Sequence, residues 1–267
     1  MPRRLAWFVM VAALGWRLAA APFAQDNYQF SDPNVENTFR YARMAVGGGA
    51  ISKLKALWLK GRSKVDLNGS LVDCAVDIKI LLPDYYLRTD ATPTDAKLAG
   101  YAGKTILNAI RAGANLSVPP DNLTAAILKN EQLRLARVLL GAATYVTPTF
   151  AMIFRSSGLT GGVVDPRVSA KTITQAEGRG EPNVAEVSGT GGFRARLVVD
   201  GISRMPAKLI YPNNPMEETM TFEDRPDASG LKLPFHMTTT AGGRIVDELI
   251  LEQILVNPEI SKSDFKR

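Results

Sequence analysis

His236 is the single histidine of the chain, so a Ser–His–Asp triad or a histidine-rich zinc site would have to be built on it. It stands between Phe235 and Met237, and no nucleophile, carboxylate or second ligand recurs near it at a fixed spacing. That pattern reads as a polar side chain on the solvent face of a strand. The run Ser188-Gly189-Thr190-Gly191-Gly192 has the composition of a phosphate loop. A phosphate cradle, however, delivers the chain into a helix N-terminus, whereas this run joins two strand-like segments, as a hairpin turn does. Glu217, Glu218, Glu223, Asp224 and Asp227 could supply an acid–base pair or calcium ligands. Strand alternation puts Glu217 and Glu223 on one face and Glu218 and Asp224 on the other, so they do not converge.

Cys74, the only cysteine, belongs to the alternating series Val72, Cys74, Val76, Ile78, Ile80, Leu82 and reads as a small buried apolar side chain, not a reactive thiol. Three sequons begin at Asn68, Asn115 and Asn122, and they matter only in a host that glycosylates. No catalytic constellation emerges. The expectation is a protein that is not an enzyme and needs neither metal nor cofactor.

The elements that must position any site are clearest in the last third. Phe193, Ala195, Leu197 and Val199 share one face of a strand, with Arg194 and Arg196 on the other. Further strands are expected over Ala207–Tyr211, Thr219–Phe222, Leu231–Thr240 and Arg244–Val256. In the fourth of these five segments Leu231, Leu233, Phe235 and Met237 repeat the alternation. Asn213-Asn214-Pro215, Asp227-Ala228-Ser229-Gly230 and Ala241-Gly242-Gly243 supply hairpin turns. The result is an antiparallel meander with one apolar face, which a helix, a second sheet or a ligand must cover.

Upstream, Val35, Phe39, Ala42 and Val46 have helical spacing, with Asp32 and Pro33 suited to its start and Gly47-Gly48-Gly49 to its end. A turn and strand follow over Ile51–Val65, Asn68-Gly69 makes a hairpin, and Leu71–Leu82 returns as a long strand. Pro83-Asp84 interrupts before Tyr85–Arg88. Residues 89–125 mix Gly, Ala and Pro without periodicity, so strand, helix and loop all stay open there. Glu131–Ala143 is a second helix, with Leu135, Leu139 and Ala142 on one face and Arg134 and Arg137 nearer the other. One strand is expected within Val163–Glu177 and another over Val184–Ser188. The order implies one α+β domain.

Arg3 and Arg4 precede an apolar run from Leu5 to Gly15, with Ala19, Ala20, Ala21 and Ala24 beyond it: the order of a secretory signal peptide cut after Ala24. Arg17 ends the run short of the roughly 20 residues that span a bilayer. The expected division is residues 1–24 as signal peptide and 25–267 as a single domain, periplasmic or secreted. Of the 32 basic residues, Arg3, Arg4 and Arg17 would leave, and 29 against 26 acidic residues give the mature chain a net +3. That balance, without a basic stripe, points away from nucleic acid while allowing transient contact with an anionic membrane surface.

The first helix, Gly47-Gly48-Gly49, Leu54-Lys55-Ala56-Leu57 and Leu59-Lys60-Gly61 together resemble the start of secreted bacterial proteins of the LolA/LolB-like, outer-membrane lipoprotein-sorting-like fold. Val76–Tyr85, Gly192–Leu197 with Pro206, Phe222-Glu223-Asp224 with Gly230–Pro234, and Asn257-Pro258-Glu259-Ile260 with Asp264-Phe265 are similar to the same group. The resemblance implies an antiparallel, unclosed β-barrel (a half-barrel) with helices covering its concave face. It also implies a carrier of a lipid or lipoprotein acyl chain in the bacterial envelope. Val72, Val76, Ile78, Ile80, Phe193, Leu197, Val199, Leu209, Leu233 and Phe235 are then expected to face inward, against either ligand or the helices. The alternative is an envelope interaction module, its half-barrel filled by its own helices, with Glu131–Phe154 docking a protein partner. No lipobox cysteine is present.

Overall fold

Val35, Phe39, Ala42 and Val46 are each at most 1 % exposed, so helix α1 (Pro33–Val46) forms around the stripe its spacing predicts. The computed structural model describes residues 28–29, 33–67, 70–145, 152–153, 170–174, 180–189, 192–213 and 215–267. The expected signal peptide, Asp32, the Asn68-Gly69 turn and the stretch from 146 to 151 lie outside these residues.

β1 (Tyr28–Gln29) is a short strand that precedes α1. A 3-10 turn (Gly48–Lys53) follows α1 and leads into β2 (Ala56–Leu67), β3 (Ser70–Leu81), β4 (Tyr85–Ala91) and β5 (Asp95–Ala102). β6 (Thr105–Ile106), β7 (Ala109–Ala112) and β8 (Asn115–Ser117) complete the first half. Helix α2 (Thr124–Ala143) crosses to the second. There β9 (Met152–Ile153) pairs with β1, and β10 (Ala170–Thr174), β11 (Asn183–Ser188), β12 (Arg194–Val199) and β13 (Pro206–Asn213) follow. The chain ends with β14 (Met216–Glu223), a small hairpin of β15 (Asp227–Ala228) and β16 (Leu231–Lys232), β17 (His236–Ala241) and β18 (Arg244–Val256).

The large sheet is antiparallel throughout, in the order β10-β11-β12-β13-β14-β17-β18-β2-β3-β4-β5-β7-β8, with β6 on β5. Two meanders are fused by pairing the last strand with the first: Asp247 faces Val65 and Val256 faces Leu57. A bulge between Leu251 and Gln253 sits at that seam. Gly61 opposes it, because a Cβ there would lie 2.1 Å from the Ile250 carbonyl oxygen. The end strands β10 and β8 do not pair with each other, so the barrel is unclosed. The expected α+β half-barrel is the observed architecture.

The concave face carries the main core. Leu57, Leu59, Val76, Ile78, Ile80, Leu197, Leu209, Met220, Met237 and Leu249 pack there with Leu135, Leu139 and Leu140 of α2 and the stripe of α1. Helix α2 spans the opening, touching β5 and β6 on one side and β12, β13 and β14 on the other. On the convex face a smaller cluster, Leu87, Leu98, Leu107 and Ala109, is covered by the C-terminal segment, whose Phe265 ring lies 5.4 Å from Tyr85.

Two expectations need correction, and one stretch left open takes a definite form. Residues 89–125, left open by their composition, are mainly strands, continuing β4 and forming β5 to β8. Helix α2 begins at Thr124, seven residues before Glu131. The expected strand Leu231–Thr240 is two: β16 belongs to the small hairpin and β17 starts only at His236. Pro234 has no N–H for a ladder, and it stands at the break.

Candidate functional site

Several interior positions that alternation marks as apolar are not, Arg88 and Asp247 among them. Arg88 lies on the same face of β4 as Tyr86, and Asp247 on the same face of β18 as Leu249 and Leu251. β4 and β18 are separated by β2 and β3, and the sheet's curvature brings the two side chains together. Arg88 donates from Nη1 to Asp247 Oδ2 at 2.7 Å and from Nη2 to Asp247 Oδ1 at 2.9 Å. Its Nε donates to Asp90 at 2.9 Å, and the Ser63 hydroxyl donates to the same carboxylate at 2.7 Å. Burial disfavours the charged carboxylate of Asp247, but the Arg88 guanidinium, by charge and by hydrogen bond, more than offsets that and holds its pKa below the usual range. Burial also pushes the Tyr86 hydroxyl up to about 12, so it stays protonated.

This network forms part of the wall of a channel between α2 and the sheet. Among the described residues, the charged ones that border the outer cavity, about 750 Å³, are Lys129, Arg134 and Arg137 together with Glu131, Glu218 and Asp247, with Tyr211, Leu133 and Met220 between them. Arg134, Met220, Thr239 and Asp247 also border a second chamber of about 40 Å³, whose lining combines Tyr86 and Arg88 with the apolar Leu59, Ile78, Ile80, Val138, Met237 and Leu249. Leu59, Ile80, Val138 and Met237 continue into a third, of about 20 Å³, closed by Leu57, Leu139, Leu233 and Leu251. These three neighbouring cavities, together called the channel below, therefore run from a charged mouth to an apolar end. The inner chambers each hold no more than a few water molecules.

Two arrangements fix α2 over it. Asn108 donates from Nδ2 to Glu131 Oε1 at 3.0 Å and accepts from the Gly100 N–H at 2.8 Å, tying the helix to β5. At the other end, Arg225 donates to the carbonyls of Ala142 (2.8 Å), Gly141 (3.3 Å) and Pro206 (2.7 Å). It thus serves carbonyls that the last helical turn leaves unpaired. With no carboxylate against it, burial lowers the Arg225 pKa to about 10. Gly141 lets the helix seat, since a Cβ there would fall 2.0 Å from the Phe222 ring.

Of the ten residues expected inward, Ile78, Ile80 and Leu233 border the inner chambers. Val76, Phe193, Leu197, Val199 and Leu209 are buried in the core beneath the helices and border none of these three cavities, while Val72 and Phe235 are only half-buried. His236 is on the outside of the sheet, its Nε2 3.1 Å from Glu248 and its Nδ1 3.3 Å from Glu223. Glu217 pairs with Arg196 at 2.7 Å and Glu218 faces the channel, so the carboxylates diverge as alternation requires. No group of three or more His, Cys, Asp or Glu side chains that could hold a metal ion occurs among the described residues. Cys74 is buried, and burial raises its thiol pKa. Arg134 and Arg137, expected away from the packed face of α2, instead border the channel mouth. Arg88, Asp90 and Asp247 were not singled out from sequence, although each breaks the apolar phase of its strand.

No family model matches the chain, and no curated protein matches it. Solved structures do. A DUF1329 family protein from Desulfovibrio piger superposes with a TM-score of 0.55 at 8% identity, over 88% of this chain and 98% of that one. A putative outer membrane lipoprotein-sorting protein domain from Vibrio parahaemolyticus gives 0.52 at 12% identity, over 87% and 97%. The fold is LolA-like. A LolA superfamily protein from Nitrosomonas europaea also aligns, with a TM-score of 0.47 at 11% identity, over 88% of this chain and 99% of that one. Among the described residues of this LolA-like chain no helix is long and apolar enough to cross a membrane.

Proposed function

We propose that the protein is a non-enzymatic carrier of a lipid or lipoprotein acyl chain, exported to the periplasm by residues 1–24, with the channel under α2 as its binding site. The observation that carries this reading is the taper from the charged outer cavity to an end lined by Leu57, Leu59, Ile80 and Leu251. An amphiphile has the same polarity gradient. Moving roughly 14 methylenes out of water is worth about 11 kcal/mol at 0.8 kcal/mol each. Inner chambers of about 40 and 20 Å³ do not admit such a chain as they stand. Loading therefore requires α2 to lift, with the site emptying as it reseats. The outer membrane lipoprotein-sorting domain among the structural neighbours supports the same reading.

The test is native mass spectrometry of the protein purified from its own envelope, with lipid analysis of the organic extract and titration with a fluorescent fatty-acid probe. An adduct that partitions into the organic phase is expected. A clean apo mass together with no probe binding would refute the carrier reading. The narrow inner chambers favour, in that event, the second reading: a half-barrel filled by its own helices, which docks another envelope protein. A pull-down from envelope extract that recovers no stable partner would then count against that one.

A further inference from the structure

The acids and bases around the channel mouth are not equally satisfied. Asp247 receives two hydrogen bonds from Arg88, and Glu218 accepts one from the Asn213 side chain. Glu131 accepts from Asn108 through Oε1, while its Oε2 stands 3.8 Å from Arg134 Nη1, beyond hydrogen-bond reach. Among the described acids here Glu131 Oε2 is left buried without a hydrogen-bond partner, and both arginines of α2 have donors to spare. Arg134 makes no hydrogen bond to the described residues, and that 3.8 Å contact is its one ion pair among them; burial, which would lower its pKa, is outweighed by Tyr86, Glu131 and Asp247. Arg137 is stacked 4.1 Å over the Tyr211 ring and gives one long bond, 3.4 Å, to the Pro212 carbonyl. Its Nε is buried and has no partner. The two arginines lie three residues apart on α2, hence on one face of the helix, and both border the outer cavity, with Lys129 at its edge. Burial also lowers the Arg137 pKa, a cost that a bound anion would offset.

We propose that Arg134 and Arg137 form an oxyanion-binding site at the channel mouth, which selects amphiphiles bearing a carboxylate or phosphate head over neutral ones. A guanidinium presents its N–H groups in a planar fork that matches both kinds of oxyanion. The inference rests on the carrier reading and sharpens it: the chain enters the apolar end, and the charged head stays between the two arginines.

The experiment compares a fluorophore-labelled long-chain fatty acid with its methyl ester, binding to the full chain, with inorganic phosphate as a separate titrant. The acid is expected to bind at least about tenfold more tightly than the ester, a difference of about 1.4 kcal/mol. Arg134→Met/Arg137→Met should bring the ratio close to one, and Arg134→Lys/Arg137→Lys should restore part of it. If the Met pair does not fold, the wild-type ratio and the Lys pair decide. Equal binding of acid and ester overturns the headgroup site and leaves the carrier reading standing. Binding of neither overturns both. If inorganic phosphate alone binds as tightly as the labelled acid, the site serves a free anion and the amphiphile proposal fails.

Discussion

Asp247→Asn isolates the interaction that joins the two halves of the sheet inside the channel wall. Arg88 is 3 % exposed and the Asp247 side chain 22 %, so their two hydrogen bonds, 2.7 and 2.9 Å, are made largely out of water. Removing one partner of a buried pair costs about 3–5 kcal/mol when the other charge is stranded. Here Asp90 still faces Arg88 and asparagine keeps one acceptor, so the expected loss is about 2–3 kcal/mol. The assay is urea unfolding at pH 7. With a denaturant slope of about 2–3 kcal/mol per molar, the midpoint should fall by roughly 1 M. Arg62–Glu252 is the contrast: its atoms are 3.1 Å apart, but the side chains are 72 % and 61 % exposed, and Glu252→Gln should cost under about 1 kcal/mol. The sign in acid follows from the lowered Asp247 pKa. Its stabilisation is complete above the ordinary carboxylate pKa of about 3.9 and is lost as pH falls through the depressed folded value. The gap between wild type and Asp247→Asn should be constant from about pH 7 to pH 5 and narrow below about pH 4. In an Arg88→Met background the same substitution should cost little. A wild-type loss below about 1 kcal/mol, or an equal loss in both backgrounds, would refute the coupling.

Gly141→Leu should loosen the seat of α2 on the sheet, because even a methyl there meets the Phe222 ring at 2.0 Å. The helix-propensity gain of about 1 kcal/mol is outweighed by overpacking of about 1–3 kcal/mol or more, so a lower melting temperature with tighter fatty-acid probe binding is expected. Arg225→Met removes the donors to the Gly141 and Ala142 carbonyls; amide exchange should quicken in the last turn of α2 and stability fall by about 1.5–3 kcal/mol. Cys74, buried and with its thiol pKa raised, should react slowly with iodoacetamide at pH 7.5 in native protein and rapidly in urea; fast native labelling would contradict its placement.

What was legible in the sequence follows from which faces meet water. β18 spans Arg244–Val256 as expected, and α1 starts at Pro33, because each has one wet and one dry side. β5 was illegible for the opposite reason. Its Ala99 and Tyr101 face the concave core while Leu98 is buried on the convex side near Phe265, so alternation is erased. The early turns of α2 carry little pattern because residues 125 and 126 are exposed. The site itself was readable only as exceptions. Arg88 and Asp247 occupy inward phases of their strands, yet they are 159 residues apart and only the barrel's curvature makes them neighbours. Ile78 and Ile80, expected inward from alternation alone, do reach the channel, whereas Leu197 and Leu209 are equally inward and end in solid core. Alternation tells which way a side chain points, not whether a helix sits on it.

Whether such a channel can load and unload is a matter of near-equal covers. Lifting α2 would expose Leu135, Leu139 and Leu140, all fully buried, at about 1.5–3 kcal/mol each, or roughly 5–9 kcal/mol. Ala136 and Ala143, equally buried, add about 1 kcal/mol each. An acyl chain of roughly 14 methylenes would return about 11 kcal/mol to the same sheet surface. The two covers lie within a few kcal/mol of each other, and the balance falls to the polar contacts at the helix ends: Asn108 with Glu131, and Arg225 with the last carbonyls. A cover much stronger than the chain would never admit it, and one much weaker would never expel it. On the carrier reading, the small polar contacts at α2 therefore set the direction of exchange, while the apolar surface sets its scale.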